Sequence, residues 1–256
     1  MPQRRLVIRD LVAPCTTQGN LVEYVQQTAR QLNAAPVAEG NLKPQSDGTY
    51  ALVAAPVRTI AHWMNASTQV LDDMSLLRSF IDGEVEYGVN LAEENQLLNG
   101  DGSGQNLLGL IPQAQAYSAA FAITGETAFD RLLLGILQVE LNLFPCDAIV
   151  VNPTDWRKMQ LVKDSMGRYL GGGPFQSTIP VVWNLPVVTS LAMTAGTFLC
   201  GAFRFGSQIF DRQQTNVQIS TENSDNFIRN LCTIRGEERI AFAVKRPSAF
   251  VYGNLP

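Results

Sequence analysis

The sequence of 256 residues predicts an α+β fold, because a long helical pattern lies between two regions with strand-like spacing. Residues 72–99 carry an apolar stripe at three-and-four spacing, made of Met74, Leu77, Ile81, Val85, Gly88 and Leu91. Residues 21–25 and 50–57 precede it with strand-like runs. After it, Ile240, Phe242 and Val244 alternate as in a strand with one buried face.

The composition favours a chain whose surface is partly covered by partners. Charged residues make up 16% of the sequence, below the usual quarter or so, and the net charge is −4. The sequence has no dense basic run of the kind that nucleic-acid-binding proteins use. It also lacks the roughly 18 consecutive apolar residues of a membrane span, and residues 1–8 hold too few for a signal peptide. We therefore expect a cytosolic chain.

The sequence predicts neither a metal site nor a cofactor site. The four cysteines, Cys15, Cys146, Cys200 and Cys232, form no C-x-x-C pair, and His62 is the one histidine. We interpret the cysteines as reduced apolar residues. His62 is expected to pack or to form a hydrogen bond rather than to act in catalysis.

The first sixty residues predict short strands and a long hairpin. Residues 6–12 have the composition of a strand. The runs 21–25 and 50–57 flank residues 39–48, which are rich in Gly, Asn, Pro and Asp and so predict a turn. Pro56 favours an edge position. A long two-stranded hairpin has little core of its own and needs support, for example from a neighbouring subunit.

The helix predicted for residues 72–99 is long enough to form a structural spine. Asp72 or Asp73 can cap its start, and Asn99-Gly100 can end it. At 1.5 Å per residue it spans about 40 Å. Its polar face is predicted to contain Arg78, Asp82, Glu86 and Glu93. The glycine-rich residues 100–105 follow a helix and lack a P-loop lysine, so we interpret them as the exit from the helix.

The remaining sequence alternates helix and strand patterns. Residues 132–143 predict an amphipathic helix and 148–151 a buried strand, after which Asn152 can cap a helix with Pro153 in its first turn. Residues 171–174 predict a loop. Further strands are predicted at 185–188, 197–200, 216–219 and within 230–252.

Seven segments resemble, in order and spacing, the major capsid proteins of tailed phages of the Hong Kong 97 type. They are 5–11 (RLVIRDL), 39–44 with 46–47 (EGNLKP and SD), 59–63 (TIAHW), 69–73 (QVLDD), 93–94 with 96–102 (EE and QLLNGDG), 171–174 (GGGP) and 237–239 (EER). They extend over essentially the whole chain, so the likeness does not depend on one motif.

The resemblance implies the capsid fold of that family. Residues 1–19 would be the remnant of an N-terminal arm and a strand of the peripheral (P) domain, and 20–60 the extended E-loop hairpin. Residues 61–110 would form the P domain with the spine helix, 111–215 the axial (A) domain, and 216–256 further P-domain strands. Copies would form pentamers and hexamers of an icosahedral virion shell around double-stranded DNA, assembled in the host cytoplasm. Portal, maturation protease and decoration proteins would be partners.

The resemblance also implies a covalent bond between subunits. The family's motif places the reacting lysine at Lys43, the acceptor at Asn230 and the helper carboxylate at Glu237. The surrounding pocket corresponds to Val37, Phe210, Gln213 and Arg235, and the last two are polar where the family has apolar residues. Apart from this single-turnover reaction, no enzymatic activity is expected.

Two alternatives remain open from the sequence. The first is an encapsulin-like nanocompartment shell, which shares the fold but encloses cargo enzymes. The second is an α/β enzyme that uses Asp155 or Glu237 in a cleft, although no recognisable catalytic motif accompanies either residue.

Overall fold

The computed structural model describes residues 8–69, 75–170 and 180–256. The helices are α1 (Ile8–Leu11), α2 (Ser75–Asn99), α3 (Ala128–Leu141), α4 (Pro153–Gln160), α5 (Phe203–Gly206) and α6 (Asn226–Arg229), with 3-10 turns at Ile111–Gln113 and Pro247–Ala249. The strands are β1 (Ala13–Thr16), β2 (Leu21–Gln31), β3 (Asp47–Pro56), β4 (Arg58–Ser67), β5 (Gln115–Ala116), β6 (Ala148–Val151), β7 (Val181–Val182), β8 (Leu185–Thr189), β9 (Thr197–Gly201), β10 (Ser207–Ser220), β11 (Leu231–Val244) and β12 (Phe250–Asn254). No helix in these described ranges is long and apolar enough to cross a membrane.

The N-terminal segment is helical where the sequence predicted a strand. The strand prediction for residues 6–12 is wrong over its described part, since residues 8–11 form α1. One helical turn places Ile8 and Val12 on the same side, and both are buried in the main core. The turn also directs Arg9 toward α2. Short apolar runs fit either structure, so tertiary packing decides between them.

The predicted hairpin is confirmed, and its strands are longer than the predicted runs 21–25 and 50–57. β2 and β3 pair antiparallel from Leu21 opposite Pro56 to Gln31 opposite Asp47, as a two-stranded sheet of their own. Pro56 lies at the last pair of the ladder, where a missing N–H is tolerated. The hairpin packs on the body of the protein along much of β2. Tyr24 joins a small apolar cluster, the Gln27 N–H donates to the Lys245 carbonyl oxygen at 2.9 Å, and the Arg30 guanidinium lies 5.3 Å from the centre of the Phe144 ring.

The spine helix is confirmed from Ser75 to Asn99, while its predicted caps at Asp72 and Asp73 lie outside the described residues. Its buried row is Val85, Val89, Glu93 and Leu97, at spacings of four. Two details of the predicted faces are therefore wrong. Leu91, assigned to the apolar stripe, is exposed, and Glu93, assigned to the polar face, is 3% exposed. Arg9 pairs with Glu93, which explains how a carboxylate is tolerated there.

A four-stranded sheet with the order β1-β10-β11-β4 lies against α2. Alternate residues of β11 face the helix, and Cys232 and Ile234 pack there with Val85. Gly236 allows the close approach, because a Cβ at this position would lie 2.5 Å from Val85 Cγ1. His62 in β4 contacts the carbonyl oxygen of Val85 through Nε2 at 2.7 Å, which confirms its predicted hydrogen-bonding role.

The second sheet has the order β5-β12-β9-β6-β8-β7 and contains the main core. All four residues of β6 are fully buried, as the sequence predicted. The predicted strands at 185–188 and 197–200 are confirmed as β8 and β9. The helix predicted for 132–143 is confirmed but displaced toward the N-terminus, because Thr127 and Asp130 form a reciprocal capping box that starts α3 at Ala128.

The predicted cap of α4 and the predicted end of α2 are confirmed. The side chain of Asn152 accepts a hydrogen bond from Thr154 N at 2.9 Å, with Pro153 in the first turn. After α2, Asp101 accepts hydrogen bonds from the Ser103 backbone and from the side chain of Asn106, which closes the helix exit. The loop predicted at 171–174 lies outside the described residues.

The domain boundaries inferred from the resemblance stay predictions. β10 runs without interruption from Ser207 to Ser220, across the predicted boundary at residue 216. β12 lies in the range predicted for P-domain strands, but it pairs with β9 and β5 of the six-stranded sheet.

Candidate functional site

Lys43 lies in the exposed tip that joins β2 and β3. Asn33 closes the base of this tip, since its backbone N–H donates to Ser46 Oγ at 3.1 Å and its side-chain amide to the Gln45 carbonyl at 2.9 Å. All residues from 34 to 44 are exposed, and Leu42, next to the lysine, is 97% exposed. Within the described chain Lys43 makes no hydrogen bond or ion pair, so its amine is available to another molecule.

Asn230 ends α6 in a left-handed conformation, with φ 53° and ψ 43°. Asn adopts this conformation more readily than most residues. The backbone N–H of Thr68 donates to the Asn230 carbonyl oxygen at 2.9 Å, which fixes the backbone. The side chain is exposed, and no hydrogen bond of its amide is found in the described residues. The neighbouring Phe227 and Ile228 are also exposed.

Glu237 lies near the middle of β11, on the face of the sheet that points away from α2. Its side chain is 24% exposed, and its Oε2 lies 3.5 Å from Nη2 of Arg235. The same nitrogen donates to Gln218 Oε1 at 2.7 Å, across the β10–β11 pair. Arg235 therefore links the carboxylate to the neighbouring strand.

One chain does not bring Asn230 and Glu237 together. β11 pairs with β4 without interruption from Leu231 opposite Ser67 to Ile240 opposite Arg58, so the segment is fully extended. Six steps of about 3.4 Å separate Leu231 from Glu237 by roughly 20 Å. Lys43 lies beyond Gln31 and Asp47, at the opposite end of the β2–β3 ladder from Leu21 and Pro56.

The four pocket residues inferred from the resemblance do not form one cavity within a single chain. Phe210 packs under the base of the hairpin against the cluster of Tyr24, Ala55, Ala241 and Ala243. Val37 lies on the exposed tip, 38% exposed. Gln213 is paired opposite Arg239, and Arg235 lies beside Glu237.

A buried charge cluster has no counterpart in the sequence predictions. Arg9 pairs with Glu93 and, through Nη2 at 2.6 Å, with Asp211 of β10. Glu238, 1% exposed, accepts a hydrogen bond from Thr215 at 3.1 Å, while its Oε1 has no partner among the described residues. Burial, reinforced by the charge of Glu93, raises the pKa of Glu238 to about 8. The inward position of Glu238 follows from strand alternation, a signal that could have identified it.

Asp155, one of the two carboxylates of the enzyme alternative, has a structural role. It is 4% exposed, accepts a hydrogen bond from the Gly196 backbone and pairs with Lys158 at 3.2 Å. A carboxylate with both oxygens engaged in this way stabilises the loop before β9.

Residues 1–255 match the Phage capsid family. The chain belongs to this family. It is similar to the major capsid protein of Enterobacteria phage HK97, with 47% identity over 252 residues. The match covers 98% of this chain, and the chain spans 66% of the length of that relative. The family inferred from the sequence segments is thereby confirmed.

Solved structures confirm the capsid fold. The capsid of an empty GTA particle aligns with a TM-score of 0.75 at 15% identity, covering 97% of this chain and 89% of the other. A structure from Mycobacterium phage Bobi aligns with a TM-score of 0.74 at 13% identity, covering 99% and 91%. The predicted α+β fold of the Hong Kong 97 type is therefore confirmed.

Proposed function

We propose that copies of this chain assemble into the icosahedral shell of a tailed phage, around double-stranded DNA. The observation that carries this proposal is the projecting tip of the β2–β3 hairpin, which is exposed throughout residues 34–44. Leu42 at 97% and Leu32 at 63% exposure give this arm apolar side chains. An extended arm with exposed apolar groups is stabilised when a second copy covers it. Membership in the Phage capsid family supports the same conclusion.

Pentamers and hexamers are the expected assembly units. The related protein of Enterobacteria phage HK97 is a major capsid protein, and the GTA capsid was computed with C5 symmetry. We propose the virion shell as the location of this chain and the host cytoplasm as its place of assembly. Portal, maturation protease and decoration proteins are the proposed partners.

We further propose that Lys43 of one copy forms an isopeptide bond with Asn230 of another. The neutral amine of Lys43 attacks the side-chain carbonyl carbon of Asn230, so that a C–N bond forms. The amide nitrogen of Asn230 leaves as ammonia, and Glu237 accepts the proton from the attacking amine and passes it to the leaving nitrogen. The lysine amine and the asparagine amide together contain all the atoms of the isopeptide bond and the ammonia, so the reaction needs no other reactant. The exposed side chains of Lys43 and Asn230, free of hydrogen bonds within the described chain, support this assignment.

The separation along β11 requires that Asn230 and Glu237 in one reaction come from different copies. Together with Lys43, the site then draws on several subunits and is incomplete before assembly. This would restrict the reaction to the finished shell and prevent premature bonding between loose subunits.

Sedimentation and electron microscopy of the purified protein test the shell assignment. We expect large hollow particles, and a monodisperse small species that never assembles would contradict the proposal and favour the enzyme alternative. The content of particles purified from infected cells separates the two shell alternatives. Double-stranded DNA is expected here, whereas a packaged cargo protein would indicate the encapsulin-like compartment.

A further inference from the structure

The end of strand β1 leaves a cleft beside strand β10. β1 pairs with β10 only as far as Thr16 opposite Asp211, whereas β10 continues to Ser220. The backbone turns away at this point, where the Thr17 N–H donates to the Asp211 carbonyl oxygen at 3.0 Å and the Gly19 N–H donates to Thr17 Oγ1 at 3.2 Å. A cleft of about 470 Å³ lies between this turn and β10. Its walls are formed by Thr16, Thr17, Gln18, Asp211, Arg212 and Gln214.

Two β-bulges position the side chains of β10 that line the cleft. Asp211 and Gln213, two apart in β10, face adjacent residues of β11, and Gln213 and Asn216, three apart, face residues two apart. Each shift therefore inserts one additional residue into β10. Arg212 lies in the first bulge and Gln214 in the second. Because a bulge interrupts the regular alternation of a strand, it directs side chains to new positions, which here include the wall of the cleft.

Arg212 has no partner for its charge within the described chain. Its Nη1 atom is buried without a hydrogen bond, and no described carboxylate forms an ion pair with it. Among the described residues of the wall, Asp211 is the one carboxylate, and it accepts instead from Nη2 of Arg9 at 2.6 Å. A buried guanidinium N–H without an acceptor has lost the water that would otherwise solvate it. The cleft is therefore stabilised by a ligand that brings oxygen acceptors and negative charge.

We propose that the cleft is an oxyanion-binding site and that Arg212 is its charged binding residue. A guanidinium presents N–H donors in the planar arrangement that carboxylate and phosphate groups accept. The other side chains of the wall, apart from Asp211, are hydroxyls and amides, which are uncharged and can donate hydrogen bonds. The proposed bond between Lys43 and Asn230 does not use this cleft, so the site is additional to it.

Two sources can supply the oxyanion, namely inorganic phosphate from solution and an acidic side chain of a second copy. Past Asp211, no strand of the described chain pairs with this side of β10, so the cleft is accessible to both. Binding of a second copy rests on the proposed shell, whereas binding of phosphate does not. Measurements on unassembled subunits and on shells therefore separate the two sources.

Titration of unassembled subunits with sodium phosphate tests the first source. Phosphate at about ten times its dissociation constant should raise the folding equilibrium constant about tenfold, measured by denaturant unfolding against sodium chloride of equal ionic strength. In Arg212→Gln the increase should fall below about twofold, and Arg212→Lys should retain part of it, because an ammonium also binds phosphate.

Arg157→Gln is the matched control for Arg212→Gln, because Arg157 is exposed and donates to the side chain of Gln160 at 2.7 Å. It should respond to phosphate as the unmutated chain does. Phosphate also stabilises folded proteins in general, so the difference between the two variants is the quantity that reports on the site.

Shells test the second source. The background is Lys43→Arg, which is expected to prevent the covalent bond. Adding Arg212→Gln should speed the release of subunits in denaturant about tenfold, because loss of one partner of a desolvated charge pair acts mainly on dissociation. Adding Arg157→Gln should leave the release unchanged. Without phosphate, the unassembled Arg212→Gln subunit should keep its stability, since removal of an unpaired cation leaves no other charge uncompensated.

Each outcome decides the inference. An effect of phosphate on subunits that depends on Arg212 identifies free phosphate as the ligand, and an effect confined to shells identifies a carboxylate of a second copy. The inference is overturned if Arg212→Gln behaves like Arg157→Gln in both measurements. It is also overturned if Arg212→Gln weakens the unassembled subunit about tenfold without phosphate, because the role of Arg212 is then structural. If the chains form no shells, the proposed function fails and the phosphate titration alone decides the inference.

Discussion

Asn230 immediately precedes β11, whereas Glu237 lies near its middle, and the extended strand separates Leu231 from Glu237 by roughly 20 Å. The unbroken pairing of β11 with β4 leaves no bend that could bring them together. A lysine that reacts with one while contacting the other must therefore meet residues of two copies. The proposed site therefore needs the assembled shell, and its tests need shells of defined composition.

Mixed shells should reveal that the reacting groups come from different copies. We expect no bond in shells of Lys43→Ala chains alone or of Asn230→Ala chains alone. In co-assembled shells the first chain keeps its asparagine and the second its lysine, so one bond can join them and no further bond can extend the pair. A denaturing gel should then show dimers and nothing larger. Absence of dimers from well-mixed shells would mean that the groups react within one chain or do not react.

Lys43→Arg should leave shells intact and abolish the covalent ladder. Arginine keeps the charge and approximate length of the side chain, but its guanidinium stays protonated and cannot act as a nucleophile. Lys158→Arg is the control, since Lys158 is an exposed lysine that pairs with Asp155. Electron microscopy measures assembly and the gel measures bonding. A ladder that persists in Lys43→Arg shells would assign the reaction to another lysine.

Arg9→Met should destabilise the unassembled subunit by about 2–4 kcal/mol, because it leaves Glu93 and Asp211 without their shared counter-ion. The matched control is Arg168→Met, which removes an exposed ion pair with Asp164 and should change stability by about 0.5 kcal/mol or less. Denaturant unfolding of both variants provides the comparison. Equal stability of the two variants would show that Arg9 does not compensate the buried carboxylates.

Glu238→Gln should remove a pH dependence of stability. The pKa of Glu238 is about 8 in the folded chain against 4.5 as its ordinary value, so between these pH values the folded state holds a proton that the unfolded state has released. Stability is therefore full below about pH 4.5 and falls as the pH rises toward 8. The neutral amide should raise stability at pH 8 and change it little at pH 4.5. The control is Glu86→Gln, at an exposed position on α2. If Glu238→Gln changes stability equally at all pH values, the carboxyl of Glu238 does not titrate in this range.

Local signals predicted much of the fold. The hairpin, the spine helix and the Asn152 cap follow from short-range patterns of turn residues, apolar spacing and helix capping. The faces of α2 could not be assigned fully, because burial of Glu93 depends on Arg9, which is 84 residues distant in sequence. Tertiary packing also explains the helix at residues 8–11, because one helical turn buries both Ile8 and Val12 in the main core.

The candidate site, like the fold, could be predicted only in part from the sequence. Lys43, Asn230 and Glu237 could be named from the family resemblance, but the register of β11 was needed to infer that the proposed reaction takes them from different copies. Arg235 is polar at a position where the family has an apolar residue. Its contact with Glu237 follows from strand alternation, whereas its hydrogen bond to Gln218 depends on the cross-strand register, which no local pattern predicts.

Peptide mass spectrometry of digested, fully expanded shells tests the central claim most directly. We expect a branched peptide that joins the segment around Lys43 to the segment around Asn230, lighter than the two separate peptides by one ammonia. The same peptide should be missing from Glu237→Ala shells that assemble normally. Intact shells that yield only the two separate, unmodified peptides would contradict the covalent site and leave Lys43, Asn230 and Glu237 as ordinary surface residues of a non-covalent shell.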